Sequence, residues 1–241
     1  MAKDTRGVFY DPTPNKEEQN RIIQDLLYQS ALEREMEWRA EPKNHSDVEL
    51  FDKMLSEINE LGFEFKYQAD FFRLLITNTK IIDVILRYLG KFENHGLTEH
   101  LVLTIADKRN KFVTKKIIDT FNETHVIVRP KGYHKTAYDN AFKRLQDKRY
   151  VNEYLQWLSN PEIATTLPFT MLMLARWKVL EARAWFMKYV DSGSEDSIVF
   201  TSIKALACYN NKEARDKIFA MQNSENKDIR ECANKVAKKL K

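Results

Sequence analysis

The sequence predicts an all-α fold built from short, antiparallel helix pairs, and three observations carry that prediction. Glycine and proline number six each among 241 residues, too few for the tight turns of a β-rich chain. Apolar residues recur at three-to-four spacing along most of the length, in short segments divided by a few polar residues, which is the spacing of helix hairpins. With 43% hydrophobic and 31% charged residues, the chain has apolar surface enough for a core and is not a wholly disordered polymer.

Residues 1–15, with Gly7, Pro12 and Pro14, read as an extended arm. From Lys16 the pattern is helical, with Ile22, Ile23, Leu26, Leu27, Ala31 and Leu32 on one face. The stretch 38–46 breaks it. Ser46 with Glu49 three residues on has the form of a capping box opening a helix to Leu61, which Gly62 is placed to stop. Helices are expected at 67–77 and 79–92, and residues 16–92 are taken together as an N-terminal helical region or cap. Further helices are expected at 97–107 and 111–123. The segment 125–128 (HVIV), closed by Arg129-Pro130-Lys131-Gly132, has strand character but is too short for a sheet. Helical patterning then returns at 134–147, 149–158, 161–172, 174–190, 195–209, 211–222 and 226–240, with Pro161 at a favoured helix start.

The last of these segments carries a motif. In NKDIRECANKVAKKL, residues 226–240, the series Asp228, Ile229, Arg230, Ala233, Val236 and Leu240 resembles the second helix of a HEAT repeat. The small residue lets neighbouring helices approach and the aliphatic ones fill the interface. A shift of 31 residues lays Ile198 on Ile229, Ser202 on Ala233, Ala205 on Val236 and Leu206 on Ala237, with Asp196 nearby and Val199 where the arginine would stand. Residues 107–121 echo the rhythm more faintly. The resemblance implies a right-handed α-solenoid of stacked antiparallel hairpins, armadillo-type and HEAT-like, over residues 93–241. An irregular helical bundle whose final hairpin matches is the alternative.

Several function classes find no support. There is no Gly-rich phosphate loop, GxSxG elbow, HExxH pair or kinase signature, so no catalytic residue and no cofactor are assigned. Cys208 and Cys232 stand outside any CxxC spacing and read as small core residues, and the five histidines are dispersed, so no metal site is expected. No stretch approaches the roughly 18 uncharged apolar residues of a membrane span, and a cytoplasmic location is expected. Trp157, Trp177 and Trp185, with Phe169, Met171, Met173, Phe186 and Met187, are expected in the packed interior.

Charge is the most informative hint. Residues 108–149 hold twelve basic side chains against four acids, whereas residues 33–70 hold eleven acids against five bases. The candidate contact residues are Lys131, Lys135, Lys143, Arg144, Lys148 and Arg149, in a non-catalytic adaptor or scaffold whose partner is a protein with an acidic surface. A solvated outer face is the bland reading of the same run. Nucleic acid is the alternative partner, with Tyr133, His134, Tyr138 and Tyr150 available to stack on bases. The HEAT resemblance also admits an alkylpurine glycosylase-like base-excision enzyme, for which Arg176, Trp177, Arg183, Trp185 and Asp191 supply the residue types.

Overall fold

The structure is a computed structural model that describes residues 16–72, 75–124, 135–191 and 194–240; the arm, the strand-like 125–128 and Lys131 lie outside them. Among the described residues every regular element is a helix and there is no strand. No helix is long and apolar enough to cross a membrane. The chain divides into two compact units, Met1–Arg73 and Leu74–Lys241, which places the helix at 79–88 in the second unit rather than with the N-terminal region.

The first unit holds α1 (Lys16–Ala40), α2 (His45–Asn59) and α3 (Gln68–Phe72), with Phe51, Met54, Ile58 and Phe71 fully buried. Polar side chains tie α3 to α1: the Tyr28 hydroxyl donates to Asp70 at 2.7 Å, and the Ala69 N–H donates to Glu35 at 3.3 Å. Glu35, 4% exposed, is balanced by Arg39, whose guanidinium also reaches Asp52. The capping box does not form. Asn44 is the N-cap of α2 and makes no side-chain capping bond there, because its amide donates instead to the Trp38 carbonyl at 2.7 Å. Gly62 takes a φ of +92° just beyond α2, the left-handed stop that its position predicted. The helix expected at 67–77 is described only as the short α3, and 75–78 is irregular.

The second unit runs α4 (Thr79–Tyr88), α5 (His95–Ile105), α6 (Thr114–Thr124), α7 (Lys135–Leu145), α8 (Val151–Leu158), α9 (Pro161–Ala164), α10 (Pro168–Arg176), α11 (Leu180–Asp191), α12 (Asp196–Tyr209), α13 (Lys212–Ala220) and α14 (Lys227–Ala237). Helices α5, α7, α10, α12 and α14 pack one on the next, and behind them α8, α11 and α13 do the same. Successive helices therefore alternate between two layers. The residues that the 31-residue shift aligned are the ones turned inward: Ile198, Ser202, Ala205 and Leu206 on α12, and Ile229, Ala233 and Ala237 on α14, are buried, with Val236 half-buried. Cys232 is buried and Cys208 only half-buried.

A backbone feature repeats with this packing. Gln146, Lys178 and Asn210 end α7, α10 and α12 in the left-handed region, at φ of 48°, 61° and 50°, thirty-two residues apart each time. A residue of this conformation lets an orphan helix carbonyl be met while the chain reverses. Asparagine tolerates it well, but glutamine carries a Cβ penalty with no local compensation. Replacing the exposed Gln146 with glycine is therefore expected to raise stability by about 0.5–1 kcal/mol, read as a higher urea midpoint with an unchanged slope.

The expected helices at 161–172 and 174–190 are three instead: α9, α10 and α11. Pro168 disfavours helical backbone at Leu167 and opens a new helix. Leu167 supplies no side-chain cap. Asp139, in the middle of α7, takes that role from across the layer: its carboxylate accepts from the N–H groups of Phe169 and Thr170 and from the Thr170 hydroxyl, each at 2.7 Å.

Candidate functional site

The basic stretch folds into two copies of one loop. Asp107-Lys108-Arg109 follows α5 and Asp147-Lys148-Arg149 follows α7. In each, the aspartate accepts from the N–H of the arginine two residues on, at 2.9 Å and 3.2 Å, and the guanidinium folds back onto the same carboxylate. These hydrogen bonds to Arg109 and Arg149 hold the Asp107 and Asp147 carboxyls below the usual range. The tripeptide was present in the sequence as a repeat, a signal hidden by counting charges alone.

The Asp147 carboxylate is 2% exposed, so Arg149 neutralises a charge that would otherwise be buried alone. Replacing Arg149 with alanine is expected to cost about 1–2 kcal/mol at pH 7. A carboxyl depressed in the folded state lends stability above its unfolded pKa and loses it as pH falls through the folded one. Urea melts of the two proteins should therefore converge at acid pH. A gap independent of pH would assign the loss to packing.

The turns that follow the front-layer helices form one edge. The Arg149 guanidinium donates to the Lys111 carbonyl at 2.9 Å, joining the two Asp-Lys-Arg loops, and Arg144 donates to the Leu103 carbonyl at 2.9 Å. Towards the other side, the Lys148 ammonium lies 5.6 Å from the centre of the Trp177 ring at the end of α10, and Lys178 lies 5.9 Å from Tyr209 at the end of α12. The Tyr209 hydroxyl returns to the Val179 carbonyl at 2.5 Å. Each turn thus grips the next.

Of the six candidate residues, Arg144, Lys148 and Arg149 come together on this edge. Lys143 stands close by but leans towards α10, its ammonium 4.0 Å from the centre of the Phe169 ring. Lys135 opens α7, at the opposite end of that helix, and Lys131 lies outside the described residues. Two edge lysines, Lys178 and Lys212, fall beyond the 108–149 run because the edge collects residues from each repeat rather than from one stretch. Lys108, Lys148, Lys178 and Lys212 are exposed, one on each of four successive turns, and none of the four forms an ion pair with a described residue.

The arrangement does not resemble a catalytic cleft. Arg183 faces Glu213, Asp191 holds Lys217, Trp185 lies under Lys188, and Trp177 leans on Tyr154 with Lys148 above it. Trp157, Met171, Met173 and Phe186 are buried as expected, whereas Trp177, Trp185, Phe169 and Met187 are half-buried. Among the described residues no three His, Cys, Asp or Glu side chains gather to hold a metal ion. No family model, no curated protein and no solved structure matches this chain.

Proposed function

We propose that the second unit is a HEAT-like, right-handed α-solenoid and that the protein is a non-catalytic cytoplasmic adaptor or scaffold, holding a protein partner by an acidic surface. The observation that carries this reading is the row of exposed, unpaired lysines on linked turns. The layered packing and the 32-residue return of the left-handed turn support the repeat assignment. Every edge of a two-layer antiparallel stack carries helix starts and helix ends alike, so compensation of helix dipoles does not call for cations on one edge in particular. The aromatic rings beside the edge are covered: Lys148 lies over Trp177, Arg149 over Tyr150 and Lys178 over Tyr209. Covered rings are poor platforms for unpaired bases, which weighs against single-stranded nucleic acid.

The test must spare the arginines, because Arg144 and Arg149 hold the turns together. Charge reversal of Lys108, Lys148, Lys178 and Lys212 is expected to leave the far-ultraviolet circular dichroism and urea midpoint unchanged while an acidic polypeptide, poly-glutamate, loses about tenfold or more in affinity at low salt. Undiminished binding would place the contact surface elsewhere. Tight, steeply salt-dependent binding of duplex DNA with none of poly-glutamate would replace the reading by a nucleic-acid one.

A further inference from the structure

We infer that the lysine edge takes an extended acidic segment of the partner, laid across the turns with a carboxylate at every third residue. The inference rests on the acidic-partner reading and adds its geometry. Lys108, Lys148, Lys178 and Lys212 come from four consecutive front-layer hairpins. Packed helices stand about 8–10 Å apart, so cations carried one per hairpin repeat at about that distance. An extended chain rises about 3.3 Å per residue, and three residues cover the same step. A segment of about ten residues with acids at the first, fourth, seventh and tenth positions therefore meets all four ammonium groups.

Two features favour carboxylates over other anions and an extended chain over a helix. The arginine forks that would clasp a phosphate or carboxylate in two-pronged fashion are occupied: Arg109 by Asp107, and Arg149 by Asp147 and the Lys111 carbonyl. What the edge leaves available is a series of single point charges. Asp107 and Asp147 also dilute the field that a polyphosphate chain would need, while they leave the spacing of the lysines intact. The edge is made of turns, where last-turn carbonyls and first-turn N–H groups lack helical partners. Tyr150 supplies no side-chain bond to the start of α8. An extended segment carries backbone donors and acceptors to meet such groups, whereas a helix has already satisfied its own. Cation–π contact with Trp177 and Tyr209 holds the ammonium groups of Lys148 and Lys178 in place before any partner arrives, which lowers the ordering cost of binding.

The test uses the full chain and two fluorescein-labelled peptides of one composition, about 12 residues long: aspartate at every third position among serines, and its isomer with the four aspartates adjacent. Anisotropy titrations at about 25 mM salt are expected to show the spaced peptide binding about tenfold more tightly than the block isomer. Lys148→Glu with Lys178→Glu is expected to remove at least that preference, while Lys188→Glu, on α11 over Trp185, leaves it unchanged. Equal or tighter binding of the block isomer would overturn the extended register and leave the acidic-partner reading standing. Failure of both peptides to bind would overturn the two together.

Discussion

Truncating Trp157 to alanine is expected to cost about 3–5 kcal/mol, the largest single-site loss in the second unit. The indole is 4% exposed and sits among rings contributed by three helices. Its centre lies 4.6 Å from Phe121 on α6, 5.1 Å from Phe142 on α7 and 5.6 Å from Tyr154 on its own α8, in edge and tilted geometries that favour aromatic pairs. Its N–H also donates to the Asn122 side chain at 2.9 Å. Alanine would leave a cavity between two hairpins that the backbone cannot close without moving three helices. Phenylalanine keeps a ring in the cluster and gives up the hydrogen bond, so Trp157→Phe should cost about 1–2 kcal/mol. Urea unfolding of the two variants measures both. A loss below about 1 kcal/mol for alanine would mean that the hairpins repack independently of one another, contrary to a shared interface.

Asp139→Ala is expected to cost about 3 kcal/mol, because three donors at the start of α10 would lose their acceptor inside the fold. The residue is 1% exposed. Burial pushes its carboxyl up to about 6, against the opposing pull of the Phe169 and Thr170 donors and of Lys143. The sign then follows. A folded pKa above the unfolded value means that the native state holds the proton more firmly between about pH 4 and pH 6, so the stability contributed by this titration is present at the acid end and lost as pH rises through 6. Asp139→Asn removes the titration, and the stability difference between the wild type and this variant should shrink from pH 4.5 to pH 7. A difference that grew over that range would show that the three donors outweigh burial.

Helix periodicity was legible wherever a helix met the solvent on one face. The 31-residue shift already aligned Ile198 with Ile229 and Ser202 with Ala233, and those residues are buried where α12 packs on α14. Local capping was less so. Ser46 and Glu49 looked like a box, but the Asn44 amide met a carbonyl six residues back and the box had no place to form. The division of 161–190 into three helices depended on Asp139, some thirty residues away in sequence, and no local window contains both partners. For the candidate site, the basic run marked Lys148 and Arg149, yet it could not separate a lysine open to a partner from an arginine spent on its own loop.

By itself, the sequence determined which residues are apolar, where the chain breaks and that its elements are helices, because these follow from side-chain periodicity and from the backbone limits of glycine and proline. Only the tertiary structure decided which charges act together. Lys178 and Lys212 join Lys108 and Lys148 on one edge since helix packing returns the chain to that edge once per hairpin, and a hydrogen bond such as that from Arg149 to the Lys111 carbonyl exists only after two turns have been brought side by side.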